Sequence, residues 1–347
     1  MPEPMQPSHT SDIPRWRKEL GAWYWPMLLS LACVILLQVV VRQLWGWNFP
    51  FWLVIALYLI LAGILSFGLK AYAEGPKKTK RMPHPASQWP VAGPLRYLGR
   101  YAIMFTFIPT SLLSIFNPWQ LTQQLKQIGG QARVHKRMRD HYEALEHYQN
   151  KVSYRLPFDG EWLIFNGGLH RETSHSWDVL AQRYAYDFVK ADASFRRHSG
   201  AGNRLKHYFC YEEPILAAAS GEVVHVQDGI GPAPLVGFGV CDFLARHFAG
   251  NHVVIRHAEG EYGVYAHLIK GTIPVQIGDR VAQGDRIGLC GHTGHSSEPH
   301  LHFHLQDGES IFSSMGLPIR FETARVNGTV TDTPVEITRG QRVAHIP

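Results

Sequence analysis

The chain has 347 residues, 45% of them hydrophobic, and a net charge of +6, so it is long enough for more than one domain. The positive balance fits an anionic membrane surface or an acidic polymer, and the sequence contains no nucleic-acid-binding motif. The four cysteines include no CxxC pair, which argues against a cysteine zinc site and a disulfide scaffold. Histidine is abundant instead: 18 of the 20 follow residue 130.

Two uncharged apolar runs near the N-terminus, about 22–41 and 49–69, are each long enough to cross a hydrocarbon core of about 30 Å. Trp and Tyr lie at their ends, as interfacial anchors do. We therefore predict two membrane-spanning helices, the first of them retained rather than cleaved as a signal peptide. A third run, 101–117, is shorter and contains Pro109, so it either spans the membrane or lies at its surface.

The distribution of Lys and Arg bears on topology. Three precede the first run, one lies between the first two runs, and seven lie in residues 70–100. The positive-inside rule then places the N-terminus and the 70–100 segment in the cytoplasm, and a third span would place the C-terminal part outside. The basic residues at 126–139 also favour the cytoplasm, so charge alone leaves the side of the C-terminal part open.

Residues 131–150 are predicted to be helical, because apolar residues recur there at helical spacing among charged ones. Those residues are Val134, Met138, Tyr142 and Leu145. We interpret 121–151 as a solvated helical stalk or linker that offers a surface for a homodimer. The predicted organisation is thus a membrane region at 1–120, this linker, and a soluble domain at 152–347.

Beyond residue 152 the pattern changes to short strands separated by glycine-containing turns. The clearest are EVVHVQD (222–228), NHVVIRH (251–257) and YGVYAHLI (262–269), of which the last two are predicted to form a hairpin. Strands at this spacing, with almost no helical period, predict a mainly β, antiparallel domain preceded by an α-helical transmembrane region.

The segment PHLHFHLQD (299–307) alternates histidine with apolar residues. In a strand, His300, His302 and His304 share one face, and the apolar residues between them share the other. An unpartnered buried imidazole is costly, so the histidine face is expected to be polar or to bind a metal ion.

A metal ion needs further ligands, and HRETSHSWDVLAQRYAYDF (170–188) offers four candidates: His170, His175, Asp178 and Asp187. Asp187 lies in a segment that is otherwise largely apolar, which favours a functional role for its carboxylate. The alternative is an aspartate at a strand end that pairs with Arg183 or Lys190.

Several motifs, in order, resemble the lysostaphin-type zinc metallopeptidases, bacterial cell-wall endopeptidases, over roughly residues 155–320. The first is EEPILAAASGEVVHVQDG (212–229), similar to the family's strand–turn–strand opening, and the second is GVYAHL (263–268). The third is VQIGDRVAQGDRIGLCGHTGHSSEPHLHFHL (275–305), which is similar to the signature block with its HxH.

The resemblance implies a small antiparallel β-sheet or sandwich domain with a groove, and one Zn²⁺ per domain bound by two histidines and an aspartate. By position it implies that His302 is a ligand and that His267 and His300 are catalytic. The family's usual His-x-x-x-Asp pattern is missing, so the remaining ligands are assigned to His175 and Asp187. His170 and Asp178 are the alternatives.

The family usually has Glu where His304 stands. Because His304 shares a face with His302, it is interpreted as a residue that supports the ligands or lines the groove, rather than as a ligand itself.

The implied activity is zinc-dependent hydrolysis of peptide bonds in peptidoglycan stems or cross-bridges. Together with the apolar runs, this activity predicts a multi-pass protein of the bacterial inner membrane, and it favours three spans with the catalytic domain facing the periplasm. One alternative is a degenerate domain that keeps the groove and acts as a non-catalytic binding or activator module. Another is a structural zinc site with His304 as a fourth ligand.

Overall fold

The computed structural model describes residues 24–74, 92–95, 101–240, 242–331 and 333–346. It divides into two compact units, Met1–Arg81 and Met82–Pro347. The helices are α1 (Tyr24–Trp45), α2 (Phe51–Glu74), α3 (Tyr101–Leu113), α4 (Pro118–Met138) and α5 (Tyr142–Glu146), with 3-10 turns at Ser114–Phe116, Leu180–Gln182 and Leu205–His207. The strands are β1 (Glu161–Asn166), β2 (Tyr186–Val189), β3 (Pro214–Leu216), β4 (Gly221–Gln227), β5 (Asn251–Ala258), β6 (Glu261–Leu268), β7 (Arg280–Val281), β8 (Arg286–Leu289), β9 (Leu301–Gln306), β10 (Gly316–Leu317), β11 (Ala324–Val326), β12 (Thr329–Thr331) and β13 (Arg342–His345).

The first unit is formed by α1 and α2. Among the described residues, α1 is the one helix that is both long and apolar enough to cross a membrane, and α2 contains the shorter apolar stretch Phe51–Ser66. The second predicted span and the multi-pass arrangement therefore stay predictions. Residues 22 and 23 of the first run, and most of the basic 70–100 segment, lie outside the described residues.

The third apolar run becomes α3, which has 13 residues and contains Pro109. A helix of that length extends about 20 Å, less than the hydrocarbon core of about 30 Å. Its Thr106 hydroxyl donates to the Gly239 carbonyl at 3.1 Å, so the middle of α3 contacts a loop of the β domain within the same unit. Of the two alternatives for this run, the contact favours a helix at the membrane surface.

Helix α4 begins at a well-formed cap. The Asn117 side chain accepts hydrogen bonds from the backbone amides of Trp119 and Gln120, and Pro118 occupies the first helical turn. The apolar stripe that we predicted for a solvated stalk lies against the β domain. Val134 and Leu145 belong to its core, and Met138 and Tyr142 pack against that core. The segment 121–151 therefore forms a layer on the domain, and the homodimer through it stays a prediction.

The β domain is mainly antiparallel, as predicted. Eleven strands form one sheet in the order β12-β11-β13-β1-β2-β9-β6-β5-β4-β7, with β10 paired to β9, while β3 and β8 form a separate pair. The predicted hairpin is β5–β6, in which Ala258 lies opposite Glu261 across the turn.

Strand β9 lies near the middle of the sheet, between β2 and β6. Its apolar side chains, Leu301, Phe303 and Leu305, are completely buried in the main core. The alternation predicted for 299–307 is therefore confirmed, and the opposite face of β9 carries His302 and His304. The central position of β9 gives these histidines strand neighbours on both sides.

Candidate metal centre

Four residues form a row across the sheet. Asp187 in β2 lies directly opposite His302 in β9, and on its other side Asp187 lies opposite Asn166 of β1. Ala266 of β6 lies opposite His302 on the remaining side. Strand register sets this row, in the order Asn166–Asp187–His302–Ala266. Because Ala266 has a small side chain, it leaves room above β6.

Three side chains bring potential metal-binding atoms together: His175, Asp187 and His302, with one such atom from each lying within 4.8 Å of the other two. His302 Nδ1 lies 3.0 Å from Asp187 Oδ1, and His175 Nε2 lies 3.4 Å from Asp187 Oδ2. Asp187 and His302 are buried, whereas 34% of the His175 side chain is exposed. The site therefore has a solvent-facing side.

A chain of hydrogen bonds behind His302 fixes which of its nitrogens carries the proton. The Gln306 amide nitrogen donates to the carbonyls of Gly308 and Glu309, which turns its oxygen towards His304. His304 therefore donates from Nε2 to Gln306 at 3.1 Å and accepts on Nδ1 from His302 Nε2 at 3.1 Å. In a neutral His302 this assignment leaves Nδ1 unprotonated, with its lone pair directed at Asp187.

The resulting geometry fits a cation. An unprotonated His302 Nδ1 and an Asp187 carboxylate oxygen are both acceptors, and at 3.0 Å they repel each other unless a proton or a metal ion lies between them. Two imidazoles and one carboxylate are a donor set that Zn²⁺ accepts, and catalytic zinc sites have three protein ligands with one open position. The residues present thus fit a bound zinc ion.

Burial alone would raise the pKa of Asp187, but the neighbouring histidines, with His175 contributing most, hold that pKa well below its usual value. The Asn166 amide also donates to Asp187 Oδ2 at 2.9 Å. The carboxyl group is therefore ionised at neutral pH, as a metal ligand must be.

His267 and His300 lie beside this group, with ring centroids 4.6 Å apart. His267 Nδ1 donates to the Thr293 carbonyl at 2.7 Å, and His300 Nδ1 donates to the Glu298 carbonyl at 2.8 Å. Both rings therefore keep an unprotonated Nε2, and that of His300 lies 3.7 Å from Asp187 Oδ1. Burial, followed by the nearby His300 and His302, holds the pKa of His267 well below its usual value.

The alternative ligands are placed elsewhere. The Asp178 carboxylate pairs with Arg171 at 3.3 Å and is 64% exposed, and His170 is exposed as well. Neither belongs to the group of converging atoms. The ligand and catalytic roles themselves stay predictions, but the geometry favours His175 and Asp187 over His170 and Asp178.

Sequence reasoning did not find Asn166, Thr293 or Gln306. Asn166 ends an apolar strand, and only the β1–β2 register shows that it lies opposite Asp187. Thr293 acts through its carbonyl, which any residue type supplies. Gln306 could have been found from the sequence, because it follows His304 at the two-residue spacing of side chains that share one face of a strand.

Comparisons with known proteins agree with the resemblance. Residues 207–313 match the sequence model of peptidase family M23. That match includes His267, His300, His302 and His304, whereas His175 and Asp187 precede it.

Relatives and solved structures give partial matches. The peptidoglycan DD-endopeptidase ShyC of Vibrio cholerae is 45% identical over 147 residues, which cover 42% of this chain and 33% of that protein. ShyA of the same organism is 44% identical over 75 residues, which cover 21% of this chain and 17% of that protein. The chain thus spans a third or less of these relatives. The catalytic domain of lysostaphin from Staphylococcus simulans aligns over 50% of this chain and 92% of that domain, at 22% identity and a TM-score of 0.26.

Proposed function

Since the chain carries a lysostaphin-type domain of peptidase family M23 at residues 207–313, we propose that it is a zinc-dependent endopeptidase that hydrolyses peptide bonds of peptidoglycan. The observation that carries the proposal is the convergence of ligand atoms from His175, Asp187 and His302, in which a neutral His302 directs its Nδ1 lone pair at Asp187 Oδ1. The relatives named as peptidoglycan endopeptidases support the substrate class.

The proposed zinc ligands are His175, Asp187 and His302. A zinc ion held by these residues would supply Lewis-acid polarisation of the scissile carbonyl and would lower the pKa of a bound water to about 7. The open side at His175 is where the peptide reaches the site. The buried Asp187 contributes one negative charge, so a divalent ion held there would keep a net positive charge.

The two other histidines are the proposed proton carriers. Because their Nδ1–H groups are held by backbone carbonyls, the Nε2 atoms of His267 and His300 can accept the proton that the attacking water loses. The same nitrogen can then donate that proton to the departing amine when the peptide C–N bond breaks. A protonated imidazole beside the carbonyl oxygen also stabilises the negative charge that develops on it.

The assignment is tested by two variants of the full-length protein. His302→Ala removes a ligand, so we expect the purified protein to lose stoichiometric zinc. His300→Ala removes a proton carrier, so we expect zinc to be retained while the release of fragments from isolated peptidoglycan falls by about 10²–10⁴-fold. Zinc content is measured by elemental analysis and the fragments by mass spectrometry.

The control for this pair is His170→Ala, which changes an exposed histidine outside the group and should leave zinc content and cleavage unchanged. Stoichiometric zinc without any cleavage by the unmodified protein would contradict the proposed activity and favour a binding module. A protein that unfolds on chelation and never hydrolyses peptidoglycan would favour a structural zinc site.

A further inference from the structure

The first half of helix α4, up to Ile128, has a reversed polarity for a helix on a globular domain, whereas Val134 in its second half packs in the core. Its polar residues Gln120 and Gln123 are buried against the domain, whereas Leu121, Leu125 and Ile128 point outward at the i, i+4, i+7 spacing of one helix face. Leu125 is 61% exposed. In a water-surrounded domain the apolar stripe of a surface helix normally faces the core.

The inward amides fix this orientation. Gln120 Nε2 donates to the carbonyls of Asp242 and Ala245 at 2.8 and 3.0 Å, and Gln123 Nε2 donates to the Arg246 carbonyl at 2.7 Å. Turning the helix to bury its leucines would remove the donors from the carbonyls of Asp242, Ala245 and Arg246, and a buried acceptor that loses its donor is destabilising. The outward apolar stripe is therefore built into the fold.

The apolar surface continues at the start of the helix. Phe116 is 84% exposed, and Trp119 and Leu244 are also largely exposed. Asn117 binds the carbonyls on either side of Leu244, so this loop residue lies beside the start of the helix. We call the exposed residues Phe116, Trp119, Leu121, Leu125, Ile128 and Leu244 the outer face.

The charges along α4 have one sign. Lys126, Arg133 and Lys136 are exposed, and no Asp or Glu occurs between residues 101 and 139. A second copy of the chain would bring these cations against each other, which disfavours a symmetric dimer through this helix. Apolar and aromatic residues combined with cations, and without acids, are the composition of helices that lie on anionic membranes.

We propose that the outer face lies on the surface of an anionic phospholipid bilayer. Its apolar side chains enter the region between headgroups and acyl chains, and Lys126, Arg133 and Lys136 lie among the lipid phosphates. The proposal does not depend on zinc or on peptidase activity. It also gives the basic residues at 126–139 a role that is independent of topology, whereas the positive-inside rule counted them against an outward-facing domain.

Hydrogen bonds connect α4 to a loop that also contacts a proposed catalytic histidine. Gln120 Oε1 accepts a hydrogen bond from His295 Nε2 at 2.6 Å, and Gln123 Oε1 accepts one from the Phe248 amide at 3.0 Å. His295 belongs to the loop that contains Thr293, whose carbonyl holds His267. The amides of α4 therefore fix, relative to the membrane, a loop that positions a proposed catalytic histidine.

The test is photo-cross-linking of the full chain in vesicles. Leu125→p-benzoylphenylalanine is reconstituted in vesicles of phosphatidylglycerol and phosphatidylcholine and irradiated, and adducts are identified by mass spectrometry. The matched control is Ile277→p-benzoylphenylalanine, which places the same group at a 65% exposed apolar position outside the outer face. We expect lipid adducts at position 125 and few or none at position 277.

The cation requirement is tested in the same experiment. The double substitution Arg133→Gln and Lys136→Gln is added to the position-125 variant. It should lower the yield of lipid adducts about fivefold or more, since the loss of each cation weakens binding to an anionic surface about fivefold. Lys270→Gln is the control and should not change the yield. Adducts to a second copy or to the chain's own α1 or α2, in place of lipid, would overturn the proposal. An equal yield in vesicles of phosphatidylcholine alone would overturn its anionic part.

Discussion

His267 has an unusual backbone conformation, with φ at +65°. For a residue with a large side chain this region is sparsely populated and costs on the order of 1–3 kcal/mol. The conformation is held by two bonds: the His267 amide donates to the Ala249 carbonyl at 3.0 Å, and the ring donates to Thr293 at 2.7 Å. The strain is thus located at a proposed catalytic residue, where it orients the imidazole towards His300.

The hydrogen bond from His302 to His304 should affect the affinity of the site for zinc. His304→Ala removes the acceptor that fixes the His302 tautomer, so the affinity for zinc should fall by about 10–100-fold. Competition with a chelator measures the change. His304→Glu supplies a carboxylate acceptor at the same position, and we expect it to retain zinc far better than the alanine variant.

An equal loss of affinity in both His304 variants would show that the acceptor is unimportant. His207→Ala, a change in the 3-10 turn Leu205–His207, controls for the removal of an imidazole elsewhere in the domain and should leave zinc affinity unchanged.

At the scale of elements, the buried carboxylate of Glu261 links residues 148–154, which precede the first strand, to the β5–β6 hairpin. Glu261 is completely buried at the start of β6. Its carboxylate accepts from the Tyr148 hydroxyl at 2.7 Å, the Lys151 amide at 2.8 Å and the Tyr154 hydroxyl at 2.8 Å. Three donors from residues 148–154 therefore depend on one side chain.

Glu261→Ala should destabilise the protein by about 3 kcal/mol or more, because it leaves three donors in the interior without their acceptor. The measurement is the denaturant midpoint of the metal-free protein at constant pH. Glu259→Ala removes a carboxylate from the exposed turn of the same hairpin and should change stability by less than about 0.5 kcal/mol. A similar change in stability for the two substitutions would show that the hydrogen bonds of the buried carboxylate do not stabilise the fold.

The elements also show what the sequence could and could not predict. The two-residue period of 299–307 predicted both faces of β9, because burial on one face leaves no other register. The outward apolar face of the first half of α4 was not predictable, because the partners of Gln120 and Gln123 are loop carbonyls more than 120 residues further along the chain. Asn166 was missed for the same kind of reason, since its role depends on strand register alone.

At the scale of the whole molecule, the proposed substrate sets a requirement on topology. Peptidoglycan lies outside the cytoplasmic membrane, so the β domain must lie outside as well. With the N-terminus in the cytoplasm, as the basic residues before the first run predict, the chain must then cross an odd number of times. If α3 and α4 lie on the membrane surface, an odd number requires that one of the two apolar runs before α3 crosses and the other does not, and α1 is the described helix long and apolar enough to cross.

Labelling of an engineered thiol tests this topology. Ile277→Cys places a cysteine at an exposed turn, while the native Cys210 and Cys290 are buried. A membrane-impermeant maleimide should label this variant in intact spheroplasts to the same extent as after lysis, and the unmodified chain gives the background. Labelling that appears only after lysis would place the domain in the cytoplasm and contradict peptidoglycan as the substrate. The zinc site and the lipid contact of α4 would be unaffected by that result, because neither depends on which side of the membrane the domain faces.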